Sequence, residues 1–213
     1  MSIEADLILA QWLSPAYPVG AFSYSHGLEQ VVADGAARDA GSFSQWLSDI
    51  LEHGGGHSDA ILLACAYRAE ADQVEEIDAT ARALAPSSER QLETTQQGAA
   101  FAATTEAVFG PELGHLTYPV ALGRAARLQG LPLEKTIAFY LHAFASNLSS
   151  AAIRLVPLGQ TEGQKVLHAL LPLCQSIAGS AQHMTLDDIG SSVFAADIAS
   201  MRHESLYSRL FRS

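Results

Sequence analysis

The chain has 213 residues, enough for one sizeable core, and is 48% apolar with only 16% charged residues, which excludes a disordered chain. Acids outnumber bases 23 to 12, a formal charge of −11. That balance argues against sequence-independent nucleic-acid binding and against docking on anionic membranes, both of which draw on clustered Lys and Arg.

Apolar residues recur at helical rather than alternating spacing along the chain. The pattern predicts helices over 4–13, 24–34, 42–53, 58–71, 73–84, 88–108, 118–130, 132–156, 161–180 and 194–207. After the first comes WLSPAYPVGAFSYSHGLEQ (Trp12–Gln30), dense in proline, glycine, serine and aromatics. There Pro15 and Pro18 are expected to lead into a helix starting near Ser23, with Tyr24 and Glu29 turned out toward another protein; the alternative is that Phe22, Tyr24 and Leu28 simply pack on the chain's own core. Ser42 with Gln45, Ser88 with Gln91 and Thr161 with Gln164 have the spacing that caps first-turn N–H groups. Glu70, Asp72, Glu75, Glu76 and Asp78 read as a solvated acidic strip. The longest stripe is Leu133, Ile137, Leu141, Phe144, Leu148, Ala152 and Leu155, with Pro132 in its first turn and Pro157 at its end. It predicts a central helix of about 37 Å at roughly 1.5 Å per residue. Short Gly/Pro joints separate the elements, among them Gly54–Gly56, Gly130 and Pro157–Gly159. Connections of that length imply a single all-α domain over 1–213, a compact bundle of about ten helices. Residues from about 194 to 213 alternate Arg202, Arg209 and Arg212 with Leu206, Tyr207, Leu210 and Phe211. They read either as a partner-binding tail or as a last helix docked on its own core.

The search for chemistry finds little. GxxxxGK[ST], GxGxxG and GxSxG are absent from the sequence. Ser23, Ser25 and His26 are neighbours, but adjacency supplies no acid-oriented triad. His53 and His57 have the four-residue spacing that sets two imidazoles on one helix face. Glycines lie between them, however, and no third ligand is evident. His142 reads as a satisfied, partly buried histidine beside the long stripe. Cys65 and Cys174 stand in apolar surroundings and read as buried free thiols. The opening MSIEADLIL lacks a basic segment, and no apolar run reaches the ~20 residues that span a bilayer, so a cytoplasmic location is expected. Polar decoration at Asn147, Arg154, Gln160, Gln164 and Lys165, beside small residues such as Gly20, Gly27 and Ala151, suits a binding scaffold better than an enzyme.

Four blocks then carry a resemblance: LSPAYPVGAFSYSHGLEQ, ERQLETTQQGAAF, YPVALGRAARLQGLPLEKTIAFYLHAFASNLSSAAIRLVPLGQTEGQKVL and ADIASMRHESLYSRLFRS. In this order, from about Trp12 to the last residue, they resemble the urease accessory protein UreF family. The resemblance implies an all-α protein with neither catalytic activity nor a cofactor of its own. It implies a homodimer that bridges the accessory protein UreD (also called UreH) and the GTPase UreG. That complex would dock on apo-urease so that nickel reaches the enzyme. The partner-facing residues it implies are Pro18, Gly20, Ser23, Ser25 and Glu29 in the opening block. Tyr140, Asn147, Arg154, Gln160, Gln164 and Lys165 follow in the third block. In the tail they are Arg202, His203, Tyr207, Arg209, Leu210, Phe211 and Arg212. Arg154, Gln160, Gln164 and Lys165 are expected to face the GTPase, and the tail to become ordered on UreD. No role carries over to His53 or His57; the alternative is a metallochaperone that uses them to carry nickel itself.

Overall fold

The computed structural model describes residues 3–213. The chain runs through α1 (Ile3–Trp12), α2 (Leu28–Ala33), α3 (Ala40–His53), α4 (Gly55–Arg68), α5 (Val74–Ala83) and α6 (Ser88–Phe109). It continues through α7 (Tyr118–Leu128), α8 (Leu133–Leu155), α9 (Gln160–Ala169), α10 (Leu171–Ala181) and α11 (Phe194–His203). Short 3-10 turns lie at Ala21–Ser23 and Leu186–Asp188, and there is no strand among the described residues. The fold is all-α, as the periodicity predicts.

Why these helices pack as they do follows from α4 and α8. From Ala60 to Ala66 every residue of α4 is buried, so this helix has no solvent face there and must be wrapped by others. α7 lies against it so closely that a Cβ on Gly123 would sit 2.3 Å from the Leu63 carbonyl oxygen. α8 buries Ile137, Leu141, Phe144, Leu148 and Ala152, the predicted stripe. Between α1, α6, α7 and α8 the rings of Trp12, Phe101, Tyr118, Tyr140 and Phe144 form a connected aromatic chain at centroid distances of 5.4 to 6.4 Å. The apolar core reaches from Leu9 to Phe211, near the end of the tail.

Local details depart from expectation for identifiable reasons. The predicted 161–180 helix is two, α9 and α10, which meet at Leu170; Pro172 lies in the first turn of α10, where its missing N–H is tolerated. The last helix stops at His203, not near 207. Caps sit a residue or more earlier than read. Asp39 Oδ1 accepts from Ser42 N at 2.8 Å while Ser42 Oγ accepts from Asp39 N at 3.1 Å. Ser87 Oγ accepts from Arg90 N at 3.1 Å, and Glu162 reaches back to Gly159 N at 3.2 Å. Asp78 is not solvated: it is buried and accepts from Thr117 N at 2.6 Å and Arg82 Nε at 2.7 Å. Among the described residues no helix is long and apolar enough to cross a membrane.

Candidate interaction site

The opening stretch is the least helical part of the first thirty residues. Gly20 takes a left-handed φ of 74°, and a 3-10 turn follows over Ala21–Ser23. Tyr24 is extended, and His26 and Gly27 are both left-handed, at φ 54° and 76°. Gly27 is required on a second count, because a Cβ there would meet the Ser200 backbone at 2.8 Å. The predicted helix start near Ser23 is thus displaced to Leu28. What this gains is free main chain at Ser23 and Ser25, and the tail takes it up. Ser25 N donates to the Ser213 carbonyl at 2.7 Å, and Arg212 N donates to Ser23 O at 2.8 Å. The Ser25 hydroxyl donates to the same Ser213 oxygen.

Carboxylates lock the seam. Glu29, in the first turn of α2, accepts from Leu210 N at 2.7 Å and Phe211 N at 2.9 Å, one oxygen for each. His203, fully buried, places Nε2 3.3 Å from Glu29 and Nδ1 2.7 Å from Glu89. Arg209 reaches the other Glu89 oxygen. Deeper, Glu93 is 1% exposed and receives Ser213 Oγ at 3.0 Å, His26 Nε2 at 2.9 Å and Gln97 Nε2 at 2.9 Å. Arg90 stands 3.6 Å from Glu93 and 2.7 Å from Asp59, to which Tyr140 also donates at 2.6 Å. Burial works to raise the Glu93 pKa, but the charges of His26 and Arg90 outweigh it and hold it down at about 2. Burial likewise opposes the Arg90 charge, and Asp59 with Glu93 overcomes it, so the guanidinium stays ionised. The Tyr140 hydroxyl is pushed well up by burial and by Asp59.

From α8, Arg154 donates to Phe22 O at 3.1 Å and lies 4.4 Å over the Phe211 ring. Asn147 donates to Tyr24 O at 3.3 Å, and Arg202 pairs with Asp34 at 2.8 Å. The seam therefore gathers Ser23, Ser25, Glu29, Tyr140, Asn147, Arg154, Arg202, His203, Arg209, Leu210, Phe211 and Arg212. Gln160, Gln164 and Lys165 are elsewhere, exposed on α9; Pro18 is exposed and Gly20 shapes the turn. Tyr24 and Glu29 are buried rather than turned out: the Tyr24 hydroxyl donates to Gln96 Oε1 on α6 at 2.7 Å, and Glu29 takes the tail N–H groups. On the outer side Phe22 is 68%, Leu210 61% and Tyr207 fully exposed. Sequence reading missed Asp59, Glu89, Arg90, Glu93 and His26. The spacing of Glu89, Glu93 and Gln97 along one face of α6 was the available signal.

His142 is exposed rather than partly buried. His53 is exposed at the end of α3, and the pKa of half-buried His57 is lowered by burial and then by His53. Among the described residues no three or more His, Cys, Asp or Glu side chains are grouped to hold a metal ion. Cys65 and Cys174 are buried free thiols, as read.

The family model for UreF matches residues 37–171. The chain is 58% identical over 214 aligned residues to the urease accessory protein UreF of Ruegeria sp. (strain TM1040), with all of both chains covered. It is 56% identical over 213 residues to that of Roseobacter denitrificans, covering all of this chain and 96% of the relative. The chain belongs to the urease accessory protein UreF family. The span matched by the UreF model stops short of both the opening stretch and the tail. The alignments to whole UreF relatives run through both, so the two halves of the seam lie within the full-length likeness.

Proposed function

We propose that this UreF-family chain is a non-catalytic scaffold of urease maturation in the cytoplasm. As a homodimer it bridges UreD (UreH) and the GTPase UreG on apo-urease, with nickel as the cargo of the assembly and not a resident cofactor. One observation carries the reading: Phe22, Tyr207 and Leu210 are exposed, and exposed Arg154 joins the Phe22 carbonyl to the Phe211 ring of the tail; exposed aromatics with arginine are the residues that anchor interfaces. The tail and opening stretch then meet UreD, and the outer face of α9, with Gln160, Gln164 and Lys165, meets UreG. Arg154 contributes by positioning Phe22 and Phe211 and is not free to act as an arginine finger while the tail is seated. The alternative is a nickel carrier using His53 and His57, which have Glu52 nearby but are not grouped with it to hold a metal ion among the described residues.

The test is co-purification with UreD and UreG of the full chain, of Glu29→Gln and of a chain ending at Glu204. UreD capture should fall at least tenfold in both altered proteins, with helicity by circular dichroism kept. Unchanged capture by the shortened chain would overturn the tail as anchor.

A further inference from the structure

Between the opening stretch and α8 lies a cavity of about 240 Å³, walled by Trp12, Tyr17, Tyr118 and Phe144 and floored by His26, Arg90 and Glu93. Its mouth runs past His142 and Ser150, both exposed on α8. Engineered cavities of about 150 Å³ take benzene, and drug-sized ligands occupy roughly 300–1,000 Å³, so this volume suits one substituted ring. The charges on the floor are already matched: Arg90 faces Asp59 and Glu93, and Glu93 receives His26 and Ser213. No bare charge therefore waits for an ion.

Two wall groups lack a protein partner, the buried Trp12 indole N–H and the Tyr118 hydroxyl. Tyr118 is 8% exposed, and its pKa is raised by burial without any hydrogen bond to offset it. Its hydroxyl has no hydrogen-bond partner among the described residues. The neighbouring tyrosines differ: Tyr17 bonds Thr105 at 2.9 Å and Tyr140 bonds Asp59 at 2.6 Å. Tyr118 lines the cavity, and its hydroxyl, open to that space with no protein partner, marks where a ligand oxygen or nitrogen belongs. We propose that the cavity receives a single uncharged aromatic ring bearing a hydroxyl, the side chain of a tyrosine from a partner protein, with that hydroxyl on Tyr118. The source of the ring rests on the scaffold reading above; the chemistry of the cavity does not. The mouth adjoins the partner face of that reading. Phe22 lines the cavity, its carbonyl holds Arg154, and Ser150 is one turn before Arg154 on α8. A pocket beside an exposed arginine and aromatic patch is where interface anchors insert.

The two tryptophans supply the readout, since Trp12 walls the cavity and Trp46 does not. In a p-cresol titration of the full chain followed by NMR, the Trp12 indole N–H signal should move saturably and that of Trp46 should stay. Tyr118→Phe, which removes only the oxygen, should weaken p-cresol about fivefold, the worth of one net hydrogen bond, and leave toluene unchanged. Absence of a saturable shift, or equal p-cresol affinity in Tyr118→Phe, overturns the site. In the second arm, saturating p-cresol and Ala143→Phe, which fills the cavity from α8, should each lower capture of UreD or UreG. Ring binding without any effect on capture overturns the partner as its source. If the unaltered chain captures neither partner, the scaffold reading itself fails, while the p-cresol titration still decides the chemistry of the cavity.

Discussion

Two seams join distant parts of this chain, and they do so by opposite means. Where α4 meets α7, alanines and leucines close on one another and Gly123 brings backbone to backbone. Where the tail meets the opening stretch, α2 and α6, the contacts are Glu29, Glu89 and Glu93 on one side and His203, Arg209, the Ser213 hydroxyl and main-chain N–H groups on the other. Apolar burial scales with area and is indifferent to protonation. A buried ionic seam is strong only while each partner is in place and correctly protonated. The difference teaches that the tail can open as a unit at a smaller free energy than the bundle unfolds.

The largest expected effect breaks the first seam. Gly123→Val sets methyl groups against a carbonyl already 2.3 Å from the Cβ position. Overpacking of this kind should cost roughly 4 kcal/mol in chemical denaturation, and global stability should fall. A midpoint equal to wild type would mean that close approach does not hold α4 to α7. The second effect belongs to the ionic seam. Glu93 has a pKa of about 2 against its ordinary 4.5, so it is a depressed carboxylate. The stability it adds is fully present above pH 4.5 and is lost as pH falls from there through about 2, amounting to about 3 kcal/mol. Denaturation between pH 6 and pH 2 should show that slope, and Glu93→Gln should flatten it. Amides of the α4–α7 seam should exchange through global unfolding alone.

The same contrast explains what could be read from sequence. The bundle is written in local periodicity: α8 is expected over 132–156 and spans Leu133–Leu155, because its stripe runs the length of the segment and Pro132 and Pro157 stand at its edges. The α9–α10 break was missed because the apolar period carries straight through Leu170, Leu171 and Leu173, and one proline decides the matter. The opening stretch defeats local reasoning altogether. Phe22, Tyr24 and Leu28 have helix-like spacing, yet Tyr24 and Ser25 are drawn out by a tail that lies 188 residues away from Ser25 in sequence. For the candidate site, the arginines and aromatics of the tail mark a segment that docks, on a partner or on its own core, and the structure seats it on the opening stretch and α6 of this chain. The acids they meet, Glu29, Glu89 and Glu93, were not assigned as tail partners, since each looks like an ordinary helix charge until the tail covers it.

The smallest expected effect separates the two seams most cleanly. Arg154 is an exposed side chain, and it touches the ionic seam only through the Phe22 carbonyl and the face of Phe211. An exposed cation–π contact with one hydrogen bond is worth about 1 kcal/mol, or roughly a fivefold change in an opening equilibrium. Arg154→Ala should therefore speed amide exchange at Leu210 and Phe211 about fivefold and leave exchange within α4 and α7 unchanged. Arg154→Lys keeps the charge over the ring but loses the planar fork that reaches Phe22, and should fall between the two. Equal acceleration in α4 would show that the seams are one cooperative unit. Acceleration confined to the tail would show that the tail is held by a latch the bundle does not need.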